Sequence, residues 1–355
     1  MGLESYKSKD GNVFFTLKKI VFILISAIVI FEAFTYFFAS ALGFIVYFFT
    51  PGGLDLSKQQ ISGLPFYLFF LFGASIPFPI NVGDLFLTLW LVYLVCLIVA
   101  YLGPENNFWK AVKNPSKGFL SNYLFSFTLL ANAALFVSVA IISLQESQGI
   151  PTGDPFVSET NLYRLFLILS YSPLVEELGF RIMPLGVMFL VVFYLNHRFS
   201  ADQGVTFKLK TILLSFVSPE SMKERLRVRT VRREGLGSIT GVEWIGIIAT
   251  SAIFGMAHYI GGWGIGKITA TFVVGLILAL SYVIYGIYAP ILIHWFLNFY
   301  WEALYLGASL YPAVLSPFND YLEFLSLGIG ATFCIYVVVM AFQRVLKKKS
   351  NIPKQ

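Results

Sequence analysis

The chain has 355 residues, of which 57% are apolar and only 12% charged, with a formal net charge of +6 and a mean hydropathy of +0.76. A soluble domain carries about twice that charged fraction, so the composition excludes an ordinary soluble fold and indicates a polytopic membrane protein. Its basic residues cluster at the N-terminus, in the connections and at the C-terminus. That placement fits anionic lipid headgroups and topology control, and no aromatic-basic platform for nucleic acid is visible.

Eight apolar runs are long enough to span a bilayer, which takes about 20 residues each. They fall near 20–49, 83–103, 119–145, 161–195, 243–260, 265–286, 288–306 and 322–344. The first is too long for a cleavable signal peptide and lacks a small-residue cleavage site, so it reads as a retained span. The segment 65–80 is apolar but short and is broken by Pro77 and Pro79. It reads as a re-entrant or interfacial segment rather than a ninth span. Cys96 and Cys334 fall in spans, which implies neither a disulfide framework nor a cysteine metal site.

Lysines and arginines concentrate in the N-terminal segment, in 104–118, in 196–242 and in the tail. Alternation of eight helices with both termini cytoplasmic puts all four on one side, as the positive-inside rule requires. The predicted fold class is therefore all-α, a polytopic bundle of eight transmembrane helices. Three parts are expected: three N-terminal spans over 1–160, a core over 161–306 with a cytosolic basic insertion at 196–242, and a last helix with a basic tail over 307–355. Within the insertion, Val205 to Val217 mixes lysines with large apolar residues and predicts an amphipathic helix along the inner leaflet. The basic stretch after it reads as solvated or headgroup-bound. No internal repeat or low-complexity tract is present.

Three polar pairs at a spacing of four lie inside these apolar runs. That spacing puts both members of a pair on one helix face. An ionisable group at the centre of a span costs roughly 2.5–3.5 kcal/mol, so by default it marks function. The first pair is Glu177 with Arg181, preceded by Glu176 and flanked by Pro173 and Pro184. Glu177 and Arg181 have the spacing of an in-helix ion pair, which leaves Glu176 the freer carboxylate. The alternative is an ion network that only joins helices. Phe254 and His258 form the second pair, with Ser251 and Gly255 on the same face allowing a close neighbour and Phe254 read as packing. His294 and Asn298 form the third, and both can donate hydrogen bonds to a developing oxyanion. A polar helix–helix contact is the other reading of that pair. Glu32, Asn132, Glu302 and Glu323 lack partners at informative spacing and read as helix-packing or interfacial groups. His197, next to Arg198, reads as interfacial.

Glu-Glu-x-x-x-Arg, Phe-x-x-x-His and His-x-x-x-Asn, in that order on hydrophobic helices, resemble the CPBP (ABI) family of intramembrane proteases, which includes the type II CAAX prenyl endopeptidases. The resemblance covers roughly 161–300. It implies an endopeptidase in which Glu176 activates a water held with His258. Glu177 and Arg181 would orient that site, and His294 with Asn298 would stabilise the oxyanion. Prenylated CAAX-type tails are the implied substrate class. Metal is left open: Glu176, His258 and His294 are candidate ligands for a divalent ion such as zinc, but three ligands are usual and no His-Glu-x-x-His is present. Ile182 stands where many relatives have glycine. Simple alternation also sets His258 near the outer end of its span and His294 near the inner end of its own, so a helix must be offset, broken or tilted for them to meet, and the glycine-rich stretch 261–266 offers one place for the chain to turn. A non-enzymatic transporter or proton pathway lined by the same residues is the alternative, although no inverted repeat supports it. The expected partners are the lipid bilayer and a peptide or lipidated peptide, and the expected location is the cell membrane of a prokaryote.

Overall fold

The computed structural model describes residues 4–70, 72–103, 106–196 and 204–350. His197 and Arg198 lie outside the described residues. The chain opens with the long helix α1 (Glu4–Phe49) and the short α2 (Pro51–Ser57). Strands β1 (Gln60–Ile61), β2 (Pro65–Phe69), β3 (Phe72–Ser75) and β4 (Ile80–Asn81) follow. Next come α3 (Val82–Leu102), the short α4 (Phe108–Lys113) and α5 (Pro115–Ser121), and α6 (Tyr123–Ser147). The central helix is α7 (Leu162–Glu177), which runs through a π turn (Leu178–Ile182) into α8 (Met183–Leu195). The insertion forms α9 (Val205–Val217), α10 (Pro219–Arg225) and α11 (Val231–Glu234). After α12 (Gly241–Ile260) and α13 (Lys267–Tyr285), a second interrupted helix consists of α14 (Tyr288–Trp295), a π turn (Phe296–Tyr300) and α15 (Trp301–Leu310). Helix α16 (Pro312–Ser350) ends the described chain.

The all-α membrane class holds: among the described residues, seven helices are long and apolar enough to cross a bilayer. The eighth expected span, 288–306, is helical from Tyr288 to Leu310 but is divided by its π turn. Helix starts follow local chemistry. The side chains of Asn81, Asn122 and Asn161 accept hydrogen bonds from the first-turn amides of α3, α6 and α7, and Thr240 with Glu243 closes a capping box on α12. Each satisfies amides that the helix itself leaves unpaired.

The structure gives one expectation its form and corrects another. The segment expected to be re-entrant or interfacial is a nested antiparallel hairpin, with β1 pairing β4 and β2 pairing β3. The tip of its inner pair rests on the first π turn, where the Phe70 amide donates to Gly179 O at 2.8 Å. Nor is the basic insertion merely solvated. Lys223 and Glu243 form a buried ion pair at 2.7 Å, Glu220 is buried and accepts from the amides of Val231 and Arg232, and Arg232 Nη2 donates to Ile284 O. Helix α9 turns Thr211 and Ser215 inward and leaves Val205, Leu209, Ile212 and Leu213 exposed. An outward apolar stripe suits acyl chains.

Packing around the site uses small residues and rings. A Cβ on Gly255 would come within 2.7 Å of Ile268 O, so α12 and α13 touch backbone to backbone there. On the other side, Tyr47 stacks on Phe86 at 3.7 Å, and Phe166, Phe299 and Trp295 continue that aromatic seam beneath α14.

Candidate active site

The first motif sits where α7 gives way to the π turn. Glu176 and Glu177 end α7, and Arg181 lies within the turn. Glu177 and Arg181 are completely buried, and their side chains pair at 3.0 Å. Glu177 Oε1 also meets His294 Nδ1 of α14 at 2.8 Å. A carboxylate oxygen only accepts, so Nδ1 carries the proton and donates it to Glu177. The other ring nitrogen, Nε2, faces Glu176 Oε2 at 3.8 Å, beyond hydrogen-bond length but within ion-pair range. Glu176 is the freer carboxylate, with 23% of its side chain exposed.

Phe254 stands at the centre of this group. Its ring covers the Arg181 guanidinium at 3.8 Å and meets the rings of His258 and His294 edge-on at 4.6 and 6.0 Å. A desolvated cation–π contact of this kind is worth about 2 kcal/mol. Gly275 of α13 completes the guanidinium's wall, since a Cβ there would lie 3.1 Å from Arg181 Nη2. His258 Nδ1 is 2.9 Å from Phe254 O, and a carbonyl can only accept. Nδ1 is therefore protonated, and in the neutral ring Nε2 keeps a lone pair.

Glu176, Glu177, Arg181, His258 and His294 thus share one environment although they come from three separate helices. The glycine-rich stretch is not what joins them. It forms the turn between α12 and α13, docked on the preceding loop through Gly264 N to Thr152 O and Gly266 N to Pro151 O. Helix α12 runs unbroken through His258, and the site closes through the Phe254 ring and the reach of the glutamates. Asn298 lies in the second π turn, partly buried, and no hydrogen bond joins it to the other five residues. Cavities of about 530 and 350 Å³ open elsewhere, one beside Asp55 and Tyr163 and one beside Glu302 and Glu323, and no site residue lines either.

Sequence reasoning missed both π turns and the hairpin contact. Single π turns inside α-helices occur frequently at functional sites, and here two of the polar motifs end inside one, at Arg181 and at Asn298. Zinc fits poorly: among the described residues, no three His, Cys, Asp or Glu side chains come together closely enough to hold a metal ion. Glu176 and His294 approach each other without a third ligand, where a catalytic zinc takes three.

What this arrangement offers is a buried carboxylate, two oriented imidazoles and a neutralised ion pair, contributed by a segment from α7 to the second π turn. Residues 158–300 match the family described as type II CAAX prenyl endopeptidase Rce1-like. This segment is similar to Rce1-like domains. The assignment agrees with a CPBP-family intramembrane protease, and the Rce1-like domain takes in all three motifs and both π turns. No curated protein and no solved structure matches the chain.

Proposed function

We propose that the chain hydrolyses a peptide bond inside the bilayer with Glu176 as general base, acting on prenylated CAAX-type tails. The observation that carries this reading is the division of labour between the two glutamates. Glu177 is committed to Arg181 and His294, whereas Glu176 is partly open and faces His294 Nε2. Because Nδ1 already donates to Glu177, donation from Nε2 as well requires a doubly protonated His294 ring.

Glu176 then takes a proton from a water that His258 Nε2 helps to hold, while the water oxygen attacks the scissile carbonyl carbon. The carbonyl oxygen becomes negative and accepts hydrogen bonds from His294 Nε2–H and the Asn298 amide. As the C–N bond breaks, Glu176 returns its proton to the leaving amine. No step runs through a metal. Two purified forms, wild type and Glu176→Ala, test this against prenylated and unprenylated peptides with and without chelator. The variant should stay folded and lose at least about 100-fold in rate, and chelator should leave the wild type unchanged. Cleavage by Glu176→Ala at the wild-type rate would sink the mechanism.

A further inference from the structure

Within the first π turn, the Met183 amide donates to Leu178 O, a step of five residues. In that register the next donor, at position 184, would serve Gly179 O. Position 184 is proline, which has no N–H. The carbonyl is instead satisfied from another part of the chain, by the Phe70 amide at 2.8 Å. Phe70 holds φ at +53°, a left-handed conformation unusual for an aromatic residue, to present that amide. The contact also requires a glycine. A Cβ on Gly179 would come within 2.7 Å of Tyr67 Cβ and 3.1 Å of Phe70 O. The rings of Phe70 and Tyr67 then meet Phe180, which meets Phe254 over Arg181.

We propose that the hairpin β2–β3 is a positioning element of the active site, supplying to Gly179 the hydrogen bond that Pro184 cannot and so fixing the π turn that sets Glu176 and Glu177 against His294. The hairpin lies outside the Rce1-like segment, so an N-terminal element completes the geometry of the matched domain. The inference rests on the hydrolase reading above. It concerns Gly179, Pro184 and Phe70 as positioning residues, none of which touches substrate in the proposed reaction.

Turnover, melting temperature and amide hydrogen exchange across 174–184 are measured for Gly179→Ala, Pro184→Ala, Tyr67→Gly and the double variant Gly179→Ala/Tyr67→Gly. Gly179→Ala should lower kcat by about 100-fold with KM little changed, as a misplacement near 1 Å does. Adding Tyr67→Gly removes the clashing Cβ and should restore most of kcat. Pro184→Ala returns a donor that competes for Gly179 O. It should keep or raise the melting temperature, because alanine favours helix, and still lose kcat. A merely structural contact would not separate stability from turnover in that direction. Wild-type kcat in both Gly179→Ala and Pro184→Ala, or no recovery in the double variant, overturns the proposal. Should wild type show no Glu176-dependent cleavage, the hydrolase reading fails on its own. Hydrogen exchange then decides the lock: faster exchange in Gly179→Ala, reversed by Tyr67→Gly, supports it, and unchanged exchange refutes it.

Discussion

One oxygen of Glu177 serves both a guanidinium and an imidazole while its side chain is completely buried. Breaking one partner of such a pair strands a charge in a low dielectric, at about 3–5 kcal/mol, whereas replacing both partners by apolar groups of similar size is often neutral. Glu177→Gln should therefore destabilise the protein by that amount, and the double variant Glu177→Gln/Arg181→Met should recover most of the loss. Both should be inactive, since neither can orient His294 through a carboxylate. Thermal unfolding in detergent beside a peptide assay checks the two outcomes. A double variant as unstable as the single one would mean that the ion pair itself holds the helices together.

The helices were the most legible elements, because hydropathy reports burial in lipid directly and caps such as Asn161 and Thr240 stand one residue ahead of their helices. Two motif pairs were legible as side-by-side residues from their spacing, Glu177 with Arg181 and Phe254 with His258. The hairpin was not. Residues 65–75 are almost all apolar or glycine, so the alternation that marks a strand is missing. The π turns left no trace in composition, and only the five-residue step from Gly179 to Pro184 hints at the first one. Contacts between helices, such as Glu177 with His294, are set by tertiary packing that spacing along one chain does not encode. The basic insertion shows the same limit, since its lysines and arginines look alike in sequence but Lys223 is buried against Glu243. Lys223→Met should cost about 3–5 kcal/mol by leaving Glu243 unpaired. Limited trypsin digestion should then cut faster among Arg225, Arg227, Arg229 and Arg233. An unchanged digestion rate would show that α10 is held by Glu220 and its two amide contacts alone.

Taken whole, the molecule holds its charged cluster inside a bundle of apolar helices. Glu176 sits roughly 20 Å along the helix from Leu162, at ~1.5 Å per residue, within an apolar run of 34 residues. The insertion closes the opposite end: Ile287 N donates to Val217 O and the Tyr282 hydroxyl bonds Ser215 O and Phe216 O, so α9 is fixed to the turn that leads into α14 and His294. If the positive-inside rule governs this chain, 104–118 and the insertion face the cytosol, and α2 and the 146–160 loop face away. Single cysteines in a variant lacking Cys96 and Cys334 test that arrangement. A membrane-impermeant maleimide should label Asp55→Cys and Ser147→Cys from outside, and Lys113→Cys and Arg229→Cys only after permeabilisation. A mixed pattern would break the eight-span alternation. A complete reversal would move the basic insertion, and the end of the catalytic helices it caps, to the far side of the membrane from cytosolic substrates.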